Sequence, residues 1–317
     1  MRFLTWNLRY DSLADTIPLT DSVSSLPASL PADESVSFYS SPHEVPWSTR
    51  RIDVAREVLF HAAVIVGFQE ALVRQVGDLA QLLGNGFSWI GSGREDGGTT
   101  GEYEAIFYRN DLVQLDSWDT MWLSETPFTP SKFPGAGSTR TATYARMRMK
   151  DSGSSFTVVC THWDEQSDPQ RQLSASLLVR LGASSLPYGP VFVLGDFNSP
   201  STGSDCTGYR IMTGLLPPVA VPSSFADRFP VRDTDAEFVF TDVAQVTPPL
   251  GRSGHHGTFT GFEEHAQMDL KRIDFVMAGG KGWEPLRYRV GENWHDNSAV
   301  ASDHRPVFVD VILSSAN

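Results

Sequence analysis

The chain has 317 residues, of which 40% are hydrophobic and 20% are charged, and its formal net charge is −13. This length is enough for one or two domains with a large buried core. Because the negative charge repels a phosphate backbone at long range and the basic residues are spread out, tight non-specific binding to nucleic acid is disfavoured.

The cysteines and the first residues suggest a compartment. Only Cys160 and Cys206 are present and no C-x-x-C pair occurs, which argues against a disulfide framework and a thiolate zinc site. Residues 1–7 lack the stretch of about 7–15 apolar residues of a signal peptide, and no run of about 18 apolar residues could span a membrane. We therefore expect a monomeric cytoplasmic protein. A removed leader replaced by Met1 would give the same sequence, so secretion stays open.

The first fifth of the chain is unusual in its organisation. A short apolar strand over residues 3–8 is followed by an irregular excursion over residues 11–46 that is rich in Ser, Pro and Asp. Loops of this length are usually functional or disordered. An amphipathic helix over residues 47–60, with Ser48 as its candidate cap, then begins the regular part of the chain.

The rest of the chain is predicted to contain mostly strands, with helices between some of them. Strands are predicted over residues 63–68, 88–91, 104–108, 139–149, 155–161, 191–194, 272–278 and 307–312. Helices are predicted over residues 72–83 and 168–181, and a short helix leading into a strand over residues 235–243. No internal repeat or linker is visible, so a single α/β domain over residues 1–317 is the simplest prediction.

Polar residues stand at or just beyond the ends of several predicted strands, where a rigid scaffold can bring side chains together. These residues are Asn7, Glu70, His162, Asp196, Asn198, Asp303 and His304, with Asp274 inside a further strand. Each has an ordinary structural explanation on its own. Glu70 suits a helix cap, Asp196 and Asn198 an Asx-turn, Asn7 a turn, Asp274 a structural carboxylate and His162 the core.

As a set, the same residues indicate chemistry. The group is rich in the oxygen ligands that Mg²⁺ and Mn²⁺ prefer, and two histidines accompany it. A histidine that donates to a developing oxyanion needs a partner on its other nitrogen, and Asp274 is the candidate partner for His304. We expect these groups at a solvent-facing rim.

Six short motifs contain these residues. They are Thr5-Trp-Asn-Leu8, Phe68-Gln-Glu70, Thr161-His162, Gly195-Asp-Phe-Asn198, Arg272-Ile-Asp-Phe275 and Ser302-Asp-His-Arg-Pro306. In their identity and order, they resemble the endonuclease/exonuclease/phosphatase superfamily of deoxyribonuclease I-like enzymes, and the resemblance covers residues 3–312. Further segments, among them Trp122-Leu-Ser-Glu-Thr-Pro127 and Arg140-Thr-Ala-Thr-Tyr144, resemble a poorly characterised microbial branch of it.

The resemblance implies a four-layer α/β sandwich, in which two mixed β-sheets pack face to face with helices outside. It also implies a Mg²⁺ or Mn²⁺ cofactor and a role for each motif residue. Asn7, Glu70 and Asp303 would bind the metal, Asp196 would activate water, Asn198 and His162 would contact the phosphate, and His304, oriented by Asp274, would stabilise charge on the phosphoryl oxygens.

Other residues modify this expectation. Several nuclease members carry an Asp two residues after the first Asn, whereas this chain has Arg9 there, so we favour one dominant metal. Arg140 is a candidate partner of a substrate phosphate, with a surface salt bridge as the alternative. His255, His256 and Phe259 are candidates for lining the pocket, with a solvated loop as the alternative.

The leading hypothesis is hydrolysis of a phosphomonoester or phosphodiester in a small or medium-sized substrate by a metal- and Asp-activated water. A nuclease acting on DNA or RNA is the alternative, and the acidic charge counts against it. A non-catalytic binding module on the same fold is a further alternative, which the presence of the metal and phosphate residues disfavours. Because the excursion over residues 11–46 starts just after Asn7, we also expect it to lie beside the active site and to help select the substrate.

Overall fold

The computed structural model describes residues 1–29, 43–263, 270–294 and 299–314. These residues contain thirteen strands and seven α-helices. The strands are β1 (Arg2–Asn7), β2 (Ile65–Ala71), β3 (Phe87–Ile90), β4 (Tyr103–Arg109), β5 (Val113–Trp122), β6 (Thr141–Met149), β7 (Ser155–His162), β8 (Val191–Asp196), β9 (Thr241–Asp242), β10 (Arg252–Gly254), β11 (Asp274–Gly279), β12 (Trp283–Val290) and β13 (Val307–Leu313). The helices are α1 (Leu19–Ser24), α2 (Trp47–Phe60), α3 (Val73–Leu83), α4 (Asp168–Ser185), α5 (Thr207–Met212), α6 (Ser223–Arg228) and α7 (Val243–Val246).

The strands form two mixed sheets. The first sheet has seven strands in the order β10-β12-β13-β1-β2-β4-β3, and the second has six in the order β5-β6-β7-β8-β11-β9. Each sheet contains a parallel pair near its centre, β1 with β2 and β7 with β8, between antiparallel neighbours. Purely antiparallel hairpins cannot produce this pattern, because parallel neighbours need a crossover connection, here through α2 and α4.

Three apolar clusters account for the layering. The first lies between the two sheets and is built from alternate residues of their strands, such as Phe3, Ile106 and Phe192. The second packs α4 and α5 against the outer face of the second sheet, and the third packs α2 and α3 against the outer face of the first. The result is the predicted four-layer α/β sandwich, which confirms the fold class.

Gly67 in β2 sets how closely the two sheets approach. A Cβ atom built on Gly67 would lie 3.0 Å from Cys160 Sγ and 3.1 Å from Leu194 Cβ, both on the opposite sheet. Real Cβ contacts are rarely so short, so the absence of a side chain at Gly67 lets the sheets pack tightly at this level. The buried Cys160, which also accepts a hydrogen bond from Gln69 at 3.1 Å, is therefore a core residue.

Most predicted elements are confirmed, with shifted ends. The predicted cap of α2 is wrong: the helix begins at Trp47 with Pro46 before it, and the Ser48 hydroxyl contacts Asp15 instead. The predicted helix and strand over residues 235–243 are also misplaced, because the strand is only Thr241–Asp242 and α7 follows it. Strands β5, β10 and β12 were not predicted.

The excursion over residues 11–46 is partly regular. It contains α1, its residues 30–42 lie outside the described part of the chain, and Glu44 pairs with Arg9 at 3.0 Å. Among its described residues, none lines the main cleft of the molecule. Its predicted part in substrate selection therefore stays a prediction. In the described ranges, no helix combines the length and the apolar character needed to cross a membrane.

Candidate active site

The alternation of side chains along each strand places the candidate residues together. In β7, Val158, Cys160 and His162 point in turn into the space between the sheets, and in β8 the same face carries Leu194 and then Asp196. Each strand thus presents apolar residues in its middle and a polar residue at its last inward position. Because His162 pairs in register with Asp196, and Asp196 with Asp274, these three side chains share one end of the sandwich.

The first sheet contributes to the same end through an irregular backbone. The pairing of β2 with β4 shifts register between Phe68 and Ala71, and Glu70 within this bulge has a φ of 60°. Asn198, just beyond β8, also has a positive φ of 44°. Residues with side chains rarely adopt this left-handed region, and such strain tends to occur at functional sites. Both side chains line the cleft at this end of the sandwich.

Asp196 is the centre of the site. Its Oδ2 atom lies 3.1 Å from Asn7 Nδ2 and 3.5 Å from the Nε2 atoms of both His162 and His304. Its Oδ1 atom accepts a hydrogen bond from the Asn198 backbone N–H at 2.9 Å. Burial raises the pKa of Asp196 to about 7, and the nearby Asp274 carboxylate adds to the rise. A carboxyl group with this pKa can accept a proton near neutral pH.

His304 is held by negative charge. Its Nδ1 atom donates to Asp274 Oδ2 at 2.8 Å, as the sequence predicted. Burial alone would lower the pKa of His304, but the charges of Asp274 and Asp196 outweigh burial and raise this pKa well above its usual value. The imidazole is therefore biased towards its cationic form, with Nε2–H directed at the centre of the site.

His162 is held by positive charge. The Arg140 Nη1 atom lies 2.9 Å from His162 Nδ1, and since a guanidinium can only donate, Nδ1 must accept. The ring proton then sits on Nε2, so the Asn198 Nδ2 atom at 3.0 Å from Nε2 is directed instead at the Trp163 carbonyl, also at 3.0 Å. Burial lowers the pKa of His162 well below its usual value, and the Arg140 charge lowers it further. His162 is a neutral donor in one fixed tautomer.

Two sets of side chains are candidate cation ligands. Asp196, Asp274 and His304 offer ligand atoms within 4.8 Å of one another. We favour instead the oxygen group of Asn7, Glu70 and Asp303, because the 2.8 Å contact between His304 and Asp274 needs a proton where a metal would lie.

The favoured group fits a hard cation. The Asn7 amide lies against the Glu70 carboxylate, with Nδ2 2.9 Å from Oε1, while its Oδ1 atom accepts the Arg9 backbone N–H at 2.9 Å. Burial raises the pKa of Asp303, and the Glu70 carboxylate raises it further. Two acids that repel one another on one cleft wall favour a bound cation over two bare charges.

All the predicted site residues line or adjoin one cleft of about 830 Å³. Asn7 and Asp274 lie beneath it in contact with lining residues, and the others face it. The expected solvent-facing rim is wrong for the innermost groups, since the exposure of Asp196, Asp274, His162 and His304 does not exceed 4%. These side chains are instead packed as the last layer of the core.

Three of the simpler structural explanations can now be judged. Glu70 is not a helix cap, because Leu72 holds that position in α3. The Asx-turn of Asp196 and Asn198 is present and coexists with the site. Arg140 is neither a surface salt bridge nor freely available, because it is 6% exposed and bonded to His162 and Glu165.

The sequence interpretation missed one wall of the cleft. Arg94, Glu102 and Glu165 line it, and Arg94 forms an ion pair with Glu102. The segment Gly101-Glu-Tyr-Glu104 contains a sequence signal for this wall. Its two acids, Glu102 and Glu104, stand two residues apart at the start of an apolar strand and therefore lie on one face of that strand. On the opposite wall, His256 and Phe259 line the cleft as considered, whereas His255 pairs with Glu292 at 2.9 Å.

Comparison with known proteins places this geometry in context. A family model described as the Endonuclease/Exonuclease/phosphatase family matches residues 4–304. No curated protein matches the chain significantly in sequence.

Several solved structures are similar over the whole chain. An endonuclease/exonuclease/phosphatase from Bacteroides vulgatus is 27% identical with a TM-score of 0.73, and the match covers 99% of this chain and 98% of that one. A mannosyl-6-phosphatase from Bacteroides thetaiotaomicron is 26% identical with a TM-score of 0.72, over 99% and 100% of the two chains. The human Nocturnin catalytic domain, at 14% identity and a TM-score of 0.64 over 99% and 94%, shares the fold.

Proposed function

Because the chain belongs to the Endonuclease/Exonuclease/phosphatase family, we propose that it is a divalent-metal-dependent phosphoesterase that hydrolyses a phosphomonoester in a compact substrate. One observation carries the proposal. A single carboxylate oxygen, Asp196 Oδ2, lies between two histidine Nε2 atoms and the amide of Asn7, at the floor of a cleft. This arrangement combines a proton acceptor with fixed hydrogen-bond donors at one point, as an attack of water on a phosphate requires.

Asn7, Glu70 and Asp303 would hold Mg²⁺ or Mn²⁺, with Arg9 in the place of a further acid favouring one ion. When bound, such an ion supplies positive charge that stabilises the transferring phosphoryl group. The oxygen-only donor set and the repulsion between Glu70 and Asp303 support this assignment. Both Mg²⁺ and Mn²⁺ suit these donors.

The remaining residues account for proton and charge movement. Asp196, whose pKa of about 7 is set chiefly by burial, would accept the proton of the attacking water. His162 would donate from Nε2 to a phosphoryl oxygen, in the tautomer that Arg140 imposes. His304, kept cationic by Asp274, would neutralise charge that develops on the phosphoryl oxygens, and Asn198 would hold the phosphate beside it.

Two observations favour a monoester of limited size. A solved relative at 26% identity is named a mannosyl-6-phosphatase. The cleft of about 830 Å³ is of the size that holds a small molecule, and the net charge of −13 opposes the approach of a polyanion. A phosphodiesterase or nuclease activity is the alternative outcome of the test below.

The experiment compares phenyl phosphate, a hexose 6-phosphate, bis-p-nitrophenyl phosphate and plasmid DNA as substrates of the full chain. Each is assayed with Mg²⁺, with Mn²⁺ and with excess chelator, and Asp196→Asn protein serves as the blank. We expect cation-dependent release of phosphate from the monoesters and much slower cleavage of the diester and of DNA.

Three outcomes would contradict the proposal. Monoester hydrolysis that survives in metal-stripped protein would remove the assigned cofactor. Plasmid cleavage with a kcat/KM above that for every monoester would transfer the function to the nuclease alternative. A lack of activity on all four substrates would remove the phosphoesterase proposal itself.

A further inference from the structure

The arginines that line the cleft are already paired with carboxylates of the chain. Five arginines line the cleft, and each lies against a carboxylate of the chain. The pairs are Arg9 with Glu44, Arg94 with Glu102, Arg140 with Glu165, Arg171 with Asp205 and Arg272 with Asp242. A guanidinium that already binds a carboxylate gains less from a phosphate than an unpaired one, because the carboxylate must be displaced or must share the donor.

Three of the acids in these pairs also face the cleft. Glu102, Glu165 and Asp205 line it together with the arginines that they neutralise. Beyond the phosphate site at Asp196, a second phosphate group would therefore meet carboxylates rather than uncommitted guanidinium groups. Like charges brought together in a partly desolvated cleft repel strongly, so a substrate with a second phosphate is disfavoured.

Two of the pairs form one polar wall beside His162. Arg140 bonds both His162 and Glu165, while Arg94 bonds Glu102. The two pairs interact with each other, because the Glu102 charge acts on Arg140 and the Arg140 charge acts on Glu102. Ser138 lines the same wall. The wall thus presents hydrogen-bond donors and acceptors side by side with nearly balanced charge.

We propose that this wall, formed by Arg94, Glu102, Arg140 and Glu165, is a subsite for the hydroxyl groups of an uncharged, polyhydroxylated substrate body that carries a single phosphate. Neighbouring hydroxyls each donate one hydrogen bond and accept others, and an ion pair offers a carboxylate acceptor next to guanidinium donors. The assignment rests on the proposed phosphomonoesterase function, since the subsite is defined relative to the phosphate at Asp196.

The test uses the selectivity of the full chain rather than its activity alone. The substrates are phenyl phosphate, which lacks hydroxyls, a hexose 6-phosphate and a hexose 1,6-bisphosphate. Glu102→Gln keeps the shape of the side chain and removes its charge, and Glu237→Gln, an exposed acid outside the cleft, is the matched control.

For the wild type, we expect kcat/KM for the hexose 6-phosphate to exceed that for the bisphosphate by at least about tenfold. In Glu102→Gln, the ratio of kcat/KM for hexose 6-phosphate over phenyl phosphate should fall about tenfold, the effect of roughly one charge-assisted hydrogen bond. Discrimination against the bisphosphate should also narrow at pH 8, above the pKa of about 7 to which burial raises the Glu102 carboxyl, because one repelling charge is gone. The control should change neither ratio.

If Glu102→Gln lowers kcat/KM equally for phenyl phosphate and for the hexose 6-phosphate, the subsite is overturned, because an equal loss indicates a structural role for Glu102. A wild type that accepts the bisphosphate as well as the monophosphate would also overturn it. Should the chain hydrolyse none of these esters, titration calorimetry with hexose 6-phosphate on Asp196→Asn protein, with and without Glu102→Gln, separates the two proposals. If Glu102→Gln weakens the binding of hexose 6-phosphate about tenfold, the subsite is supported although the hydrolase function is not. If no binding is detected, both the subsite and the hydrolase function are rejected.

Discussion

The two histidines of the site are held by opposite charges. His304 enters from the first sheet and rests on Asp274, so its pKa is raised, whereas His162 ends β7 of the second sheet and rests against Arg140, so its pKa is lowered below that set by burial. Both Nε2 atoms lie 3.5 Å from the same oxygen of Asp196. The same side chain thus acquires two different protonation states within one layer.

Because both rings are buried to a similar extent, the charged group on Nδ1 is what separates their protonation states. An anion behind the ring makes a charged donor that suits an accumulating negative charge. A cation behind the ring keeps the ring neutral and fixes its tautomer, so the ring donates a hydrogen bond in one direction without adding a positive charge. A site with both can orient a phosphate on one side and neutralise it on the other.

Loss of Asp196, which contacts both histidines, or of the His304 ring should have the largest effect on activity. We expect Asp196→Asn and, separately, His304→Ala to lower kcat for a phosphomonoester by at least about 10²-fold, the usual range for a positioned base or an oxyanion donor. Thermal unfolding should show that both variants fold. Asp233→Asn, an exposed acid, is the control. Turnover near the wild-type rate in either variant would refute the assigned role.

Asp274→Asn tests the His304 side more gently. The amide cannot offer the negative charge that raises the pKa of His304, so this pKa should fall and the cationic form should be lost earlier as pH rises. We expect kcat near neutral pH to drop by about tenfold, less than for loss of the ring itself. The pH profile of kcat should lose its alkaline side at a lower pH than in the wild type. An unchanged profile would show that Asp274 is only structural.

Arg140→Met tests the His162 side. The change removes the donor to Nδ1 and the nearby positive charge, while burial remains. We expect the pKa of His162 to rise and both ring tautomers to become populated, with a loss of kcat of several-fold. Nitrogen NMR of the histidine side chains measures both quantities directly. A His162 ring that keeps its pKa and its single tautomer would show that Arg140 does not control them.

The smallest expected effect concerns the free energy of unfolding and comes from substitution of Glu104. Its side chain is 1% exposed, and neither carboxyl oxygen has a hydrogen-bond partner among the described residues. Burial raises the pKa of Glu104 well above its usual value, and the Glu102 charge adds to the rise. The unfolded chain loses this proton at about pH 4.3 while the folded chain keeps it, so the free energy of unfolding falls as pH rises above that value.

Glu104→Gln should therefore flatten the pH dependence of stability. We expect the loss of unfolding free energy between pH 5 and pH 8 to be smaller than in the wild type by about 1 kcal/mol or more. Denaturant unfolding at the two pH values measures this difference, and Glu284→Gln at an exposed position is the control. An identical slope in both proteins would show that Glu104 is already ionised in the fold.

The sequence predicts the inner strands well and the outer ones poorly. Strands β2, β7 and β8 are buried on both faces, so they are continuous apolar runs. Strand β5 lies at the edge of its sheet with a largely exposed middle, and β12 contains Pro285 next to a register shift. Exposed residues and a proline remove the apolar pattern, so pairing with neighbours decides these strands.

The residues of the candidate site also differ in how well the sequence predicts them. Strand ends and motifs indicated the inner residues such as Asp196 and His304, together with the pairing of His304 to Asp274. They could not indicate that Arg140 would reach His162, because that contact depends on the register of β6 against β7. The pairing of Arg94 with Glu102 was hidden for a different reason, since it depends on the conformation of the turn between them, which brings Arg94 against Glu102 just before β4.

Gly67 has a consequence for the width of the candidate site. Asn7 and Glu70 belong to the first sheet, whereas Asp196 and His162 belong to the second, so the width of the site is the spacing of the sandwich itself. Just beneath the site, Gly67 has only a hydrogen atom where other residues carry a side chain, and the close spacing of the two sheets there depends on this. An alanine Cβ at Gly67 would lie 3.0 Å from Cys160 Sγ and 3.1 Å from Leu194 Cβ, so those side chains or the two sheets must shift by a few tenths of an ångström, and any shift of the sheets changes the width of the site.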